Sequence, residues 1–272
     1  MYMIHKILIF GARGMLGHYL TNYLSEKYQV IPISRNEYDV LTNSWEDLEK
    51  LFKKYRVNSE TLIINAIGII PQANKNYPLN NRLYIKINSV FPHKLANLSE
   101  KYGAQMIHSS TDCVYTGRKG QYLETDPHDE TTIYGVSKSE GEPENCTVIR
   151  TSIIGEEKRN FRSLLEWVKS NKGGEINGFT NHMWNGITCL EYGRLVDNIV
   201  QKNAFWKGVR HILSPNDVSK YELVSYINDI YQLGITITPI ENGSLCDKTL
   251  RSIYKPIYNI PDLKEQIMDL CL

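Results

Sequence analysis

The stretch from Lys6 to Gly17 constrains the fold more than any other. An apolar run, KILIF (6–10), breaks into Gly11-Ala12-Arg13-Gly14-Met15-Leu16-Gly17 and passes into the amphipathic segment GMLGHYLTNYLSEKY. A buried strand, a glycine turn and a helix in that order open a βαβ unit. The alternation continues with strand-like runs QVIPIS (29–34), TLIINAI (61–67), AQMIHSS (104–110) and CTVIRTS (146–152). Between them lie the helical patterns SWEDLEKLFKKY (44–55), NNRLYIKINSVFPHKLANLSEKYG and a segment from Tyr134. Strands alternating with helices pair in parallel, so the expected class is α/β, a Rossmann-like doubly wound parallel sheet. Ser44 before Trp45-Glu46-Asp47 predicts a capped helix start. Pro92 predicts a kink or a stagger in the long helix.

Past residue 152 the alternation weakens into the helix FRSLLEWVKSN, a loop-and-strand stretch GEINGFTNHMWNGITCL and the helix EYGRLVDNIVQKN. VRHILS (209–214) reads as one more sheet strand, followed by the helix SKYELVSYINDIYQLG and a Pro- and Tyr-rich tail. The expected division is a cofactor domain of residues 1–152 plus about 190–215, and a smaller C-terminal substrate-binding lobe of about 153–189 and 216–272.

The glycine spacing G-x-x-G-x-x-G lets the backbone turn tightly and approach a pyrophosphate at the helix N-terminus. Gly11, Arg13, Gly14, Met15, Leu16 and Gly17 are therefore candidate dinucleotide contacts. A free ribose 2′-hydroxyl calls for an acid at the end of the second strand, but Ile33-Ser34-Arg35 has none there. Ser34, Arg35 and Arg13 suit a 2′-phosphate, which favours NADPH over NADH. Asp39 and Val40 are candidates to border the adenine. Tyr134 and Lys138 lie four apart on one helix face. A neighbouring ammonium would lower a phenol of ordinary pKa ~10 and suit it to exchange a proton with a carbonyl.

The remaining composition narrows the partners. A net charge of +1 gives no field that favours nucleic acid or an acidic membrane. No run reaches the ~18 apolar residues of a membrane span, and the N-terminal run is too short for a secretory signal. Five cysteines without a CxxC pair predict reduced thiols, a cytoplasmic location, no disulfide frame and no metal site.

With GARGMLG, INAIG, the Asn88 region, SSTDCVY, YGVSKSEGE and VIRTS on one chain, the sequence resembles the extended short-chain dehydrogenase/reductases. Within them it is most similar to dTDP-4-dehydrorhamnose reductases and related nucleotide-sugar reductases. The resemblance implies that Thr111 binds the substrate carbonyl, Tyr134 donates the proton and Lys138 binds the nicotinamide ribose and tunes Tyr134. It implies a supporting Asn88, and Asn65, Ala66, Ile67 and Gly68 lining the cofactor. The dehydratases of the superfamily carry Thr-Asp-Glu where this chain has Thr111-Asp112-Cys113, so dehydration is disfavoured. Cys113 matches a cysteine that moves a ring proton in epimerase/reductases, or it is a small packed thiol; His182 and Lys158 are candidates for its partner. Ile153 stands where a sugar-facing Trp is usual, and Trp184 is a candidate replacement. Asp112 joins it as a substrate contact, and Arg251 is a candidate for the diphosphate. A homodimer is expected from the resemblance. The implied activity is NADPH-dependent reduction of a nucleotide-linked 4-keto-6-deoxyhexose, with or without epimerisation. The alternative is a non-catalytic NADP-binding regulatory subunit.

Overall fold

The computed structural model describes residues 3–71, 80–159 and 161–271. β1 (Lys6–Phe10) explains the layering by itself. Side chains alternate along a strand, so Ile7 and Ile9 pack on one face with Leu16, Leu20 and Leu24 of α1 (Met15–Ser25). Leu8 and Phe10 pack on the other. There they meet Leu48 and Phe52 of α2 (Trp45–Lys54), which follows β2 (Gln29–Ile33). Covering both faces is what a parallel sheet requires. Ser44 caps α2 in a reciprocal box with Asp47, as its sequence predicts.

β3 (Thr61–Asn65) pairs with β1 on the side opposite β2. This reversal opens a crevice beyond the carboxyl ends of β1 and β3, the usual place for a ligand in such sheets. The long helical segment begins as α3 (Asn81–Tyr84), passes through a π-helical turn (Ile85–Val90) and continues as α4 (Phe91–Lys101). Pro92 has no N–H to continue the α-helical ladder. The prolyl interruption thus takes the form of a wider turn that carries Asn88. β4 (Gln105–Ser110), α5 (Ile133–Ser139) and β5 (Thr147–Arg150) complete the first half.

The second half interleaves with the sheet. β6 (Ile153–Ile154), α6 (Leu164–Ser170), β7 (Glu175–Phe179), β8 (His182–Trp184) and β9 (Ile187–Thr188) lead to α7 (Cys189–Gln201), which lies against α1. β10 (Gly208–His211) then joins β5, giving the six-stranded parallel order β10-β5-β4-β3-β1-β2. β11 (Val218–Ser219), α8 (Lys220–Ile230), β12 (Thr236–Ile240) and β13 (Cys246–Asp247) follow. α9 (Leu263–Cys271) is a helix in the stretch whose composition suggested only a tail. Ile154, Leu165, Trp184, Leu223 and Ile267 form a separate core under small sheets in which β8 is flanked by β11 and β13, and β7 pairs with β12. Among the described residues no helix is long and apolar enough to cross a membrane.

Candidate active site

The glycine turn is shaped by close approaches. Gly11 has φ +81°, and a Cβ there would lie 2.9 Å from the Ala66 carbonyl carbon. A Cβ on Gly17 would run into the Gly11 carbonyl. Gly14 is the N-cap of α1, with no side-chain cap and no acid in the first turn. The amides at the start of the helix therefore form a seat for an anion. Leu16 is buried in the core, so its contribution to a ligand is limited to its backbone.

Arg13 and Arg35 are both exposed near the end of β2. The adjoining cleft is lined by Ala12, Arg13, Ile31, Pro32, Ser34, Glu37 and Tyr55. Glu37 corrects the view that no carboxylate stands here. The turn after β2 brings it back, so that the Ser34 amide donates to it at 3.2 Å and the Tyr55 hydroxyl at 2.6 Å. Val40 is packed in the core, and Asp39 accepts from the Leu41 amide at 2.8 Å. A border with adenine would thus fall mainly to their backbone.

On the far side of the crevice, Asn65 accepts from the Ile67 amide at 3.1 Å and shapes the Ala66-Ile67-Gly68 loop. Asn88, fully buried, accepts from the Ile69 amide at 2.9 Å and donates to the Ile69 carbonyl at 3.0 Å and to Ser137 Oγ at 3.1 Å. It braces the loop after β3 against α5.

Thr111 begins the short turn Asp112–Val114, where its hydroxyl accepts from the Cys113 amide at 3.2 Å and donates to Asp112 at 3.1 Å. α5 lies hard against this turn because residue 135 is glycine: a Cβ there would come within 2.6 Å of the Cys113 carbonyl oxygen. That contact brings the Tyr134 phenol close enough to Thr111 for the hydroxyl to influence its acidity. Lys138 Nζ donates to the Ser109 carbonyl at 2.8 Å. Thr111, Tyr134 and Lys138 thus converge at the carboxyl end of β4.

Their acidities depart from the simple pairing expected. Burial is the largest influence on Tyr134 and pushes its phenol up, with Cys113 adding to it and Thr111 opposing it. Burial lowers Lys138 to about 8, with Glu142 opposing. Desolvation disfavours the charged form of each group, and here it outweighs the mutual tuning. The shift makes Tyr134 a weaker acid, yet its neutral phenol still holds the proton that an oxyanion would take as it forms.

Cys113 is also corrected in one respect. Burial, reinforced by Asp112, pushes its thiol up to about 12 even though Lys248 acts to lower it. Local charge therefore does not produce a thiolate near neutrality. His182 lies on Phe179, with its ring nitrogen 3.3 Å from the Asn242 carbonyl oxygen. Lys158 is exposed and acts on His18, in the first turns of α1. Trp184 is only 4% exposed and lies beneath the Lys220 ammonium, 5.0 Å from its ring centre. The ring is thus covered on that face by an ammonium. Arg251 is paired with Asp217 through both terminal guanidinium nitrogens, at 2.9 and 2.5 Å, which fills the fork a diphosphate would use.

Lys220 and Lys248 escaped notice in the sequence, yet both act electrostatically on the Asp112–Cys113 wall. Beneath the wall, Arg150 donates to Glu142 at 2.9 and 2.5 Å and to the Tyr115 hydroxyl at 2.8 Å, and stands 2.8 Å from His211 Nε2. Glu142 also accepts from Ser110, tying this network to the end of β4. Among the described residues no cluster of His, Cys, Asp or Glu is arranged to hold a metal.

Comparison with known proteins places the fold in a family. The family described as RmlD substrate binding domain matches residues 5–256. The spore coat polysaccharide biosynthesis protein SpsK of Bacillus subtilis is 26% identical, over 92% of this chain and 87% of that protein. A dTDP-4-dehydrorhamnose reductase of Aggregatibacter actinomycetemcomitans is 27% identical over 82% of this chain and 78% of its own. The solved dTDP-4-dehydrorhamnose reductase of Bacillus anthracis, in complex with NADP, superposes with a TM-score of 0.79 at 20% identity, covering 98% of this chain and 99% of that one.

Proposed function

The chain belongs to the RmlD substrate binding domain family, and from that premise we propose that it uses NADPH to reduce the 4-keto group of a nucleotide-linked 4-keto-6-deoxyhexose. The observation that carries the reading is the convergence of Thr111, Tyr134 and Lys138 beside the crevice of a dinucleotide turn. The residues fit the cofactor. The open amides of α1 suit a pyrophosphate, and two exposed guanidinium groups, Arg13 and Arg35, suit a 2′-phosphate. When bound, NADPH supplies the hydride.

The chain's own residues orient and protonate. Thr111 donates a hydrogen bond to the keto oxygen. Tyr134 transfers its phenolic proton to that oxygen as negative charge grows on it. Lys138, buried and donating to Ser109, turns to the ribose hydroxyls and stabilises the phenolate left behind. Residues 1–152 with about 190–215 hold the cofactor in this reading, and the remainder encloses the sugar nucleotide, a dTDP- or UDP-sugar with a hydroxyl or acetamido group at position 2. The dTDP-4-dehydrorhamnose reductases among its relatives support the substrate class.

Epimerisation beside the keto group is a second reading, favoured by the place of Cys113 next to Thr111 and within the influence of Lys220 and Lys248. Its thiol would act as the proton donor, since burial keeps it neutral. A homodimer is proposed too, with the exposed Ile85, Val90 and Val136 as apolar surface for it.

The test is a panel of dTDP- and UDP-4-keto sugars, followed by NADPH oxidation and by mass and NMR analysis of product in deuterated water. Oxidation that disappears in Tyr134→Phe supports reduction. Binding of NADPH with no oxidation by any substrate points to a regulatory subunit. Deuterium at a ring carbon that is lost in Cys113→Ser supports the epimerase.

A further inference from the structure

Arg150 ends β5 and is 2% exposed. A guanidinium has five N–H donors, and all five find acceptors here. Nε donates to Glu142 Oε1 at 2.9 Å, and one terminal nitrogen donates to Glu142 Oε2 at 2.5 Å. That terminal nitrogen also donates to His128 Nε2 at 2.7 Å. The other donates to the Tyr115 hydroxyl and to His211 Nε2, both at 2.8 Å. A buried charge so fully bonded is held in one placement, which makes Arg150 a fixed point behind the reaction centre.

Two of its arms end on serines that flank Thr111 and Lys138. Glu142 accepts from the Ser110 hydroxyl, and Ser110 immediately precedes Thr111. His128 accepts on Nε2, so its ring proton lies on Nδ1, which is bonded to Ser139 Oγ. Ser139 immediately follows Lys138. The ends of β4 and α5 thus hang from one guanidinium, and Lys138 closes the frame by donating to the Ser109 carbonyl at 2.8 Å. The His211 arm leads away, to the Arg251 carbonyl at 2.7 Å.

We propose that Ser110, held by Glu142 and Arg150, is a positioning residue for the reduction, keeping the Thr111 hydroxyl in register with Tyr134 and Lys138. This deepens the reductase reading and rests on it. Thr111 reaches the keto oxygen from the end of β4, while Tyr134 reaches the same atom from α5. A shift between the two elements misplaces one donor against the other, and a shift of about 1 Å can cost on the order of 100-fold in rate.

The experiment measures kcat, KM, NADPH affinity and thermal unfolding for Ser110→Ala and His211→Gln, with a 4-keto sugar nucleotide as substrate. Removing Arg150 itself would strand the buried Glu142 carboxylate and endanger the fold, whereas both of these variants leave that pair in place. Ser110→Ala should lower kcat roughly 10- to 100-fold, while KM and NADPH affinity stay within about twofold of wild type. His211→Gln, on the arm that leads away, should alter unfolding and leave kcat within about twofold. A wild-type kcat in folded Ser110→Ala overturns the proposal. So does an equal fall of kcat in His211→Gln, which would make the network ordinary packing. Should the wild type oxidise NADPH with no such substrate, the reductase reading itself falls and takes this inference with it.

Discussion

Tyr134 and Lys138 stand one helical turn apart, and burial moves their acidities in opposite directions. For Lys138 the folded value of about 8 lies below the ~10.4 of an exposed lysine. Between those values the unfolded chain binds the extra proton, so stability rises with pH across that window and the burden of burying the charge is complete below it. Without cofactor, Lys138→Met should therefore be more stable than wild type by roughly 2–3 kcal/mol near pH ~7. The difference should fade by about pH 10 in urea titrations, while reductase activity is lost. Glu37 carries a second residue-scale prediction. Its carboxylate shares the cleft with Ser34 and Arg13, where a 2′-phosphate would feel repulsion from it and attraction to Arg35. Arg35→Ala should weaken NADPH by about tenfold or more and hardly change NADH. Glu37→Gln should shift the preference towards NADPH by several-fold, read by fluorescence titration with both nucleotides. Arg35 could be read from the sequence because it sits at the strand end. Glu37 could not, because only the turn after β2 folds it back onto the Ser34 amide.

Gly14, at the N-cap of α1, and Gly17, in its first turn, have different duties. A Cβ on Gly17 would collide with the backbone at Gly11, whereas one on Gly14 would stand 3.3 Å from the nearest atom, the Gly11 carbonyl oxygen. Gly17→Ala should then force α1 off the sheet and lower stability by about 1–3 kcal/mol, as overpacking does. Gly14→Ala should cost little in thermal unfolding yet weaken NADPH by tenfold or more, since its face is the one a pyrophosphate approaches. Equal effects of the two substitutions on unfolding would refute the division. The elements themselves were legible wherever periodicity was clean: β1, α2, β4 and α8 lie where their apolar spacing predicts. α9 was not, because its inward face carries Gln266, which is buried and bonded to the Thr188 amide at 2.9 Å and to Ser214 Oγ at 2.8 Å. A polar residue on the packed face hides the helical stripe. Pro92 announced an interruption, but only the geometry shows that it becomes a π turn holding Asn88.

At the scale of the whole molecule, the sheet brings one half of the reaction centre and the smaller strands bring the other. Thr111, Tyr134 and Lys138 come from a continuous stretch with a recognisable pattern, so their clustering at the end of β4 was readable. Lys220 and Lys248 come to act on it only through tertiary closure, and no local spacing marks them. The same closure buries histidines between elements. His108 is enclosed on β4, and His211 on β10 lies against the Arg150 guanidinium. Burial is the first cause that lowers both, with the charge of Lys138 adding to it at His108 and that of Arg150 at His211. Both are therefore neutral in the fold at pH values where an exposed histidine, of pKa ~6.5, becomes charged. Below that value the unfolded chain binds more protons than the folded one, so stability falls as the pH is lowered. The slope should approach about 1.4 kcal/mol per pH unit for each histidine held neutral, or roughly 2–3 for the pair, beginning near pH ~6.5. Denaturant titrations from about pH 7.5 to 5 would measure it. His211→Gln, which keeps a neutral acceptor for Arg150, should reduce the slope by up to about 1.4 kcal/mol per pH unit, because one proton-linked site is gone while His18, His108 and His128 remain. An unchanged slope in that variant would show that His211 already titrates freely in the fold, and that the Arg150 network tolerates its charge.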